Sequence, residues 1–452
     1  MNLAQGLAAG VFVATFAVIT WGRVHRYVPA LAGGALILIV VFGLVMRDAD
    51  AVWRVLNLSQ CAAPEFWLPR GNHVESRGIN WQTLIFLAGM MLMVEELART
   101  GFFRWMCLTV AKAARYRAVP ILVGFMLLSA FLSMFIDSIT VMLFMASATV
   151  EIARLLRFDP VPVIIAEVFA SNTGGSATMS GDPPNIIIGT SLGYTFTDFV
   201  TNTGPAAWLG IGVAVLYFYL VLRRSLTAGE QPSTGTEAVK YPDPAQAIVS
   251  RTRFALHCGI LLLVVVLLVT HAWTGISVAL VGVITAGVTL LASGRDAGRV
   301  LKRVDWRTLL FFIGLFVCVG GLEETGLLRV LAGQVGDASG GSRPAVLGII
   351  LWGSAFSSAI VDNIPFVAAM VPVVTALSQS LGLSLRPMAW ALALGTDIGG
   401  NGTPIGASAN VVGTAVSARE GHPVGWGRYL KYAAPPTLIV VALCNLMLLV
   451  RY

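Results

Sequence analysis

The run Ser171-Asn172-Thr173-Gly174-Gly175-Ser176-Ala177-Thr178-Met179-Ser180-Gly181-Asp182-Pro183-Pro184-Asn185 returns 225 positions later, from 171 to 396, as Thr396-Asp397-Ile398-Gly399-Gly400-Asn401-Gly402-Thr403-Pro404-Ile405-Gly406-Ala407-Ser408-Ala409-Asn410. The paired glycines align, and Thr178, Gly181 and Asn185 meet Thr403, Gly406 and Asn410. The register holds without a gap back to Trp81, which meets Trp306. Between them Thr83, Phe86 and Gly89 meet Thr308, Phe311 and Gly314, Thr100-Gly101 meets Thr325-Gly326, Arg104 meets Arg329 and Asp137 meets Asp362. An offset this constant marks an internal duplication. Paired repeats are characteristic of secondary transporters.

The surroundings of the repeat give its class. The 452 residues are 56% hydrophobic and 12% charged, where a soluble domain carries about a quarter charged. Apolar stretches recur from end to end, which reads as an α-helical membrane protein. The longest polar stretches, 47–80 and 223–253, are loop-sized, so no second, soluble domain is expected. A net charge of +7 raises the question of nucleic acid. Basic residues of membrane proteins gather in cytoplasmic loops, so the bilayer is the partner and nucleic acid is not. The first apolar stretch has no positive n-region and no cleavage signature, and reads as a retained span.

Counting crossings gives spans at 5–22, 28–46 and 81–97, an interfacial helix at 102–116, a hairpin at 119–155, a broken span at 161–200 and a plain one at 204–222. The second copy repeats this at 254–271, 275–293, 307–322, an interfacial piece, a hairpin at 344–381, a broken span at 386–415 and a plain one at 433–450. Each arm of the first hairpin has about 17 residues, marginal for a full crossing, so the hairpins read as re-entrant. The expected fold is an all-α polytopic membrane protein of two repeats, each five transmembrane helices plus one re-entrant hairpin, with broken helices at the midplane. The repeats occupy 1–223 and 254–452, joined by a cytoplasmic linker at 224–253. Five spans separate equivalent points, and an odd number makes the copies inverted. In this arrangement 22 of the 30 Lys and Arg residues fall on one side. That side is expected to be cytoplasmic, with both termini outside the inner (plasma) membrane.

Four polar, glycine-rich elements lie at membrane depth. They are the hairpin tips Asp137–Thr140 and Val361–Pro365 and the two runs quoted at the outset. Glycine and proline unwind a helix and free backbone groups, which lipid tolerates only where protein or a watery cavity meets them. The alternative is that Gly and Ser let helices pack closely. The matched recurrence of polar residues favours a binding site: Ser138, Thr140, Asn172, Thr173, Gly174, Gly175, Thr178, Asn185, Asn363, Gly399, Gly400, Asn401, Thr403 and Asn410. Acids in an apolar setting read as ion ligands or proton carriers. Those are Asp137, Asp362, Asp397, Asp182 and, half a helix from the break, Glu167. Asp182 has a rival role as a helix cap before Pro183 and Pro184. Glu167 has one as a packed, protonated acid. Glu95, Glu96, Glu323 and Glu324 close spans near the surface and read as solvated.

No Lys or Arg falls in 158–222, 344–385 or 387–418, so the site is expected to hold no fixed cation. Cys61, Cys107, Cys258, Cys318 and Cys444 are scattered, with neither metal-ligand spacing nor a disulfide framework. His25, His73 and His422 lie in loops, while His257 and His271 sit near span ends. No Ser-His-Asp or zinc constellation is visible, so neither an enzyme nor a cofactor or metal is expected.

The run Ala166-Glu167-Val168-Phe169-Ala170-Ser171-Asn172-Thr173-Gly174-Gly175 with Gly181-Asp182-Pro183-Pro184-Asn185 resembles the ion transporter superfamily, most closely its arsenite permease (ArsB) and P-protein branch with a citrate-transporter-like domain. Asn401–Asn410 resembles it equally in the second copy. The symporter branch carries Ser-Asn-Thr at its hairpin tips, whereas this chain has Asp137-Ser138-Ile139 and Asp362-Asn363-Ile364. The resemblance implies an elevator or rocking motion and, often, a homodimer; an ATPase partner subunit is left open. It also implies export of arsenite or antimonite coupled to protons. A site of Asn, Thr, Ser and backbone groups suits the uncharged trihydroxide. The alternatives are a sodium/proton antiporter and an anion or carboxylate carrier.

Overall fold

Eleven of the described helices are long and apolar enough to cross a membrane. The computed structural model describes residues 2–69, 78–229 and 241–452. Helix makes up 83% of the described residues, and no strand is found among them. A spanning helix satisfies its backbone within its own segment, the requirement lipid imposes on so apolar a chain. Residues 70–77 of the 47–80 loop, with His73, and residues 230–240 of the linker, with Lys240, lie outside the described residues.

The chain opens with α1 (Leu3–Trp21) and α2 (Tyr27–Met46). After a loop come α3 (Trp81–Arg99) and the amphipathic α4 (Phe102–Ala113). The first hairpin is α5 (Ala118–Ser133) with α6 (Ser138–Leu156), and the first broken span is α7 (Pro160–Gly175) with α8 (Pro183–Leu192). Next are α9 (Gly204–Gly229), α10 (Arg251–Thr274), α11 (Val278–Ser293), α12 (Trp306–Glu324) and α13 (Leu327–Ser339). The second hairpin is α14 (Arg343–Ile360) with α15 (Asn363–Leu381). The second broken span is α16 (Leu385–Gly399) with α17 (Ser408–Arg419), and α18 (Trp426–Arg451) closes the chain.

Duplicated sequence builds duplicated local structure. Asn80 caps α3 by accepting from the Thr83 amide at 3.0 Å, and its counterpart Asp305 caps α12 through the Thr308 amide at 3.2 Å. Gly101 and Gly326 take left-handed φ values of 88° and 76° at the same turn, where a side chain would be strained. The two series of helices interleave. α3 packs on α11 and α12 on α2, while α8 packs on α15 and α17 on α6.

Two expectations change. Three of the four hairpin arms are long enough to cross a membrane alone. Their tips nevertheless end inside the protein, with Ser138 and Asn363 each only 5% exposed. Glu96 is buried at 3% exposed rather than solvated, because Arg99 pairs with it at 2.6 Å.

Candidate functional site

The paired glycines are helical. The sequence reading starts the first break at Ser171 and runs it on into 181–185, yet α7 continues through Gly175 and the chain unwinds only over 176–182. Likewise α16 continues to Gly399, and the chain leaves the α-helix over 400–407. Close packing explains the glycines better than unwinding. A Cβ on Gly174 would lie 2.3 Å from the Ala130 carbonyl oxygen, and one on Gly399 would lie 2.2 Å from the Ala355 Cα. Each broken span is therefore pressed against the first arm of its own hairpin. Thr178 then donates to the Met134 carbonyl and Thr403 to the Ala359 carbonyl. These two pairs are again 225 positions apart.

The unwound segments and the helix ends beside them build one buried polar cluster. Asn410 Nδ2 donates to the carbonyls of Gly400 and Thr403, both at 2.7 Å. That turns its Oδ1 toward Asn172, whose Nδ2 donates to it at 2.8 Å and to Asn401 Oδ1 at 2.9 Å. Asn401 Nδ2 reaches Thr173 Oγ1 at 3.4 Å. Across the cluster Asn185 Nδ2 donates to the Gly175 and Thr178 carbonyls at 3.1 and 3.2 Å, and to Asp397 Oδ2 at 2.8 Å. Asp182 sits against Gly175, where a Cβ would lie 2.7 Å from its Oδ2. Asp182 begins α8 but makes no side-chain cap bond; its Oδ1 instead accepts from Ser138 Oγ at 2.5 Å. Four buried acceptors here have no protein partner: Asn172 Oδ1, Asn185 Oδ1, Asp182 Oδ2 and Asp397 Oδ1.

The remaining candidate acids lie elsewhere. Asp137 caps α6, accepting from the Thr140 amide at 3.0 Å and from Thr140 Oγ1 at 2.8 Å. Asp362 caps α15 through the Ile364 amide at 3.3 Å. Glu167, fully buried in α7, accepts from Thr149 on α6 and keeps Oε2 unpartnered. Asn363 is buried in the first turn of α15.

Sequence reasoning misses one residue. Arg26, at the start of α2, bonds Asp362 Oδ2 at 2.6 Å and Ser408 Oγ at 3.2 Å. A fixed cation thus does reach the second hairpin tip, although none lies in the segments around it. The contact joins positions 336 apart, and no local pattern signals it. Arg26, Ile139, Asp362 and Ser408 line a cavity of about 660 Å³. A second cavity of about 1010 Å³ is lined by Met179, Thr190, Tyr194, Asp198, His271 and Arg386. Each break therefore borders one cavity.

The helical fold is shared with a known transporter. Residues 16–395 match the family described as citrate transporter (CitMHS). The chain belongs to the citrate transporter family. An uncharacterized transporter of Mycobacterium tuberculosis is 34% identical over 449 residues, covering 99% of this chain and 98% of that one. The mouse P protein is 29% identical over 510 residues, covering 94% of this chain and 60% of that protein. The crystal structure of the Alcanivorax borkumensis YdaH transporter superposes with a TM-score of 0.59 at 15% identity, covering 94% of this chain and 98% of that one, and establishes the shared fold. The protein is a multi-pass membrane transporter of the citrate transporter family. Among the described residues of this family member, no three His, Cys, Asp or Glu side chains gather as metal ligands.

Proposed function

We propose that this citrate transporter family member is a secondary carrier that exports arsenite or antimonite as the uncharged trihydroxide, coupled to protons. The supporting observation is the set of unpartnered acceptors at Asn172, Asn185, Asp182 and Asp397. The amide donors of the two asparagines are already spent on protein oxygens. Leaving a buried acceptor unsatisfied costs about 1–3 kcal/mol. A solute that brings hydroxyl donors offsets that cost. A carboxylate brings acceptors, and it would face Asp182 and Asp397. The citrate of the family's description therefore suits this centre poorly. Asp182 and Asp397 are the acids best placed to exchange protons with the solute.

The same four oxygens favour a second reading, a sodium/proton antiporter, since hard cations take oxygen ligands. Orientation, with both termini outside, also belongs to the proposal. That orientation rests on the count of basic residues, and the division into two faces beneath it is supported by the ion pairs Arg104–Glu151, Arg154–Glu420, Arg303–Glu95 and Arg428–Asp159 on one side and Arg54–Glu324 and Arg386–Asp198 on the other. Each joins residues that the count of basic residues assigns to the same face.

Everted vesicles test both readings. Arsenite should accumulate under an inward-acid pH gradient, and Asp182→Asn with Asp397→Asn should remove the pH dependence while the protein still folds. A vesicle that ignores arsenite but exchanges sodium for protons overturns the first reading in favour of the second.

A further inference from the structure

The geometry points to Arg26 as a latch that holds the second hairpin tip and the second break against α2, and that must release for the cavity beside it to open onto the site. The inference rests on the carrier reading but not on the identity of the solute. Arg26 occupies the capping position of α2 and makes no side-chain cap bond. A cation is disfavoured at a helix N-terminus, where Ser, Thr, Asp or Asn would cap it. What Arg26 does make is a three-way junction. Its Nη1 bonds Asp362 Oδ2 and Ser408 Oγ, and Ser408 Oγ itself donates to Asp362 Oδ2 at 3.0 Å. One guanidinium therefore ties the start of α2 to the start of α15 and the start of α17.

Among the described residues the junction occurs once, although its setting is duplicated. Asp137, the counterpart of Asp362, spends both carboxylate oxygens on Thr140. The helix that packs on α3, as α2 packs on α12, is α11, and it begins with an ordinary cap in which Ser277 accepts from the Leu280 amide at 3.2 Å. Pro183 stands where Ser408 stands in the other copy. Among the described residues the first hairpin tip is held only to its own break, through Ser138 and Asp182, whereas the second is also tied to α2, so the two halves are not equally free to move. Arg26 is 42% exposed at its side chain and Asp362 11%, which leaves water to compete for the pair. Such a pair is weak enough to break within a cycle and directional enough to set a resting state. Ile364, next to the junction, lines the cavity yet is only 4% exposed.

The test reads accessibility and needs no substrate. A single cysteine replaces Ile364 in a protein whose five native cysteines are alanine, purified into lipid nanodiscs. Its rate of modification by a water-soluble maleimide is measured beside a thermal melt. Arg26→Gln should speed modification by about three- to tenfold, the worth of one partly exposed charged hydrogen bond. Asp362→Asn, which keeps a capping oxygen, should do the same. The double variant should be no faster than either single one, because both remove one interaction. Arg26→Lys should remain close to the parent rate. An unchanged rate in both single variants overturns the latch, as does a double variant in which the two effects multiply. If Arg26→Gln fails to fold, Ser408→Ala carries the test: a faster rate supports the junction and an unchanged one overturns it. Failure of arsenite transport in vesicles would leave these rates where they are, so the two readings fail separately.

Discussion

Asn172 Nδ2 donates to Asn410 Oδ1 at 2.8 Å, and the residues 225 positions away from each, Asp397 and Asn185, form the same contact with donor and acceptor exchanged. The exchange follows from one atom. Position 172 carries an amide and position 397 a carboxylate, so one offers N–H where the other only accepts. Removing this asymmetry in the two possible directions should give unlike results. Asp397→Asn keeps an oxygen to receive Asn185 Nδ2 and should change the melting temperature little. Asn172→Asp sets a carboxylate against Asn410 Oδ1 and Asn401 Oδ1, and Asn410 cannot turn because its Nδ2 serves Gly400 and Thr403. A loss of about 1–3 kcal/mol is expected, more if the acid stays ionised. Thermal melts in detergent decide it; equal shifts for the two variants would sink the argument.

Gly174 and Gly399 offer a second comparison. Alanine at either puts a methyl group within 2.3 Å of helix backbone, and overpacking of this kind costs about 1–3 kcal/mol. Gly212, inside α9, has nothing within 4 Å of the place a Cβ would take. Gly212→Ala should be neutral or slightly stabilising, since alanine is the better helix former by about 1 kcal/mol. Melts that fall for Gly174→Ala and Gly399→Ala and hold for Gly212→Ala are the expected outcome.

What the sequence makes legible follows from how local the cause is. The helix starts at Trp81 and Trp306 are readable because Asn80 and Asp305 stand just before them in matched register. The polar cluster is readable because asparagines recur where lipid would punish them. The extent of unwinding is not readable. Glycine serves both a bend and a close approach, and only the Ala130 and Ala355 backbones reveal which applies. The cap falls to Asp137 rather than to Asp182 for a similar reason. Composition marks both as intramembrane acids, while the bond from Ser138 to Asp182 and the cap from Asp137 to Thr140 depend on how the hairpin tip docks. Arg26 escapes because its partners lie on the far side of the chain.

Orientation can be checked without a substrate. Ser59→Cys lies in the described part of the 47–80 loop, and Ser233→Cys lies outside the described residues in the linker. In a cysteine-free background an impermeant thiol reagent applied to intact cells should label position 59 and spare 233. Everted vesicles should reverse the pattern. Labelling of both from one side would end the inverted arrangement and the assignment of both termini to the outside.

Trivalent arsenic invites the expectation that cysteines carry it, and the structure argues otherwise. Capture by several thiolates requires them to converge, as in metal sites. Cys107 is buried between α4 and α6, with its Sγ 3.3 Å from Met145 Sδ. Cys318 lies in α12 with its thiol directed at the Ala30 carbonyl, and Cys444 is buried in α18. Cys61 and Cys258 are half-buried, the first in the 47–80 loop and the second in α10. None belongs to the cluster around Asn172, Asn185, Asn401 and Asn410, and no two form a pair. Hydrogen bonds of about 1 kcal/mol net each would hold the trihydroxide and still release it, whereas a tight thiol complex would stall a carrier. Replacing all five cysteines by alanine should therefore cost some stability through small cavities but preserve arsenite transport in liposomes. Asn401→Ala, which takes Oδ1 from Asn172 and Nδ2 from Thr173, should lower transport at least about tenfold, the effect of losing one or two buried hydrogen bonds. A folded, cysteine-free protein that no longer moves arsenite, beside an Asn401→Ala variant that does, would place the substrate on the thiols and refute the amide site.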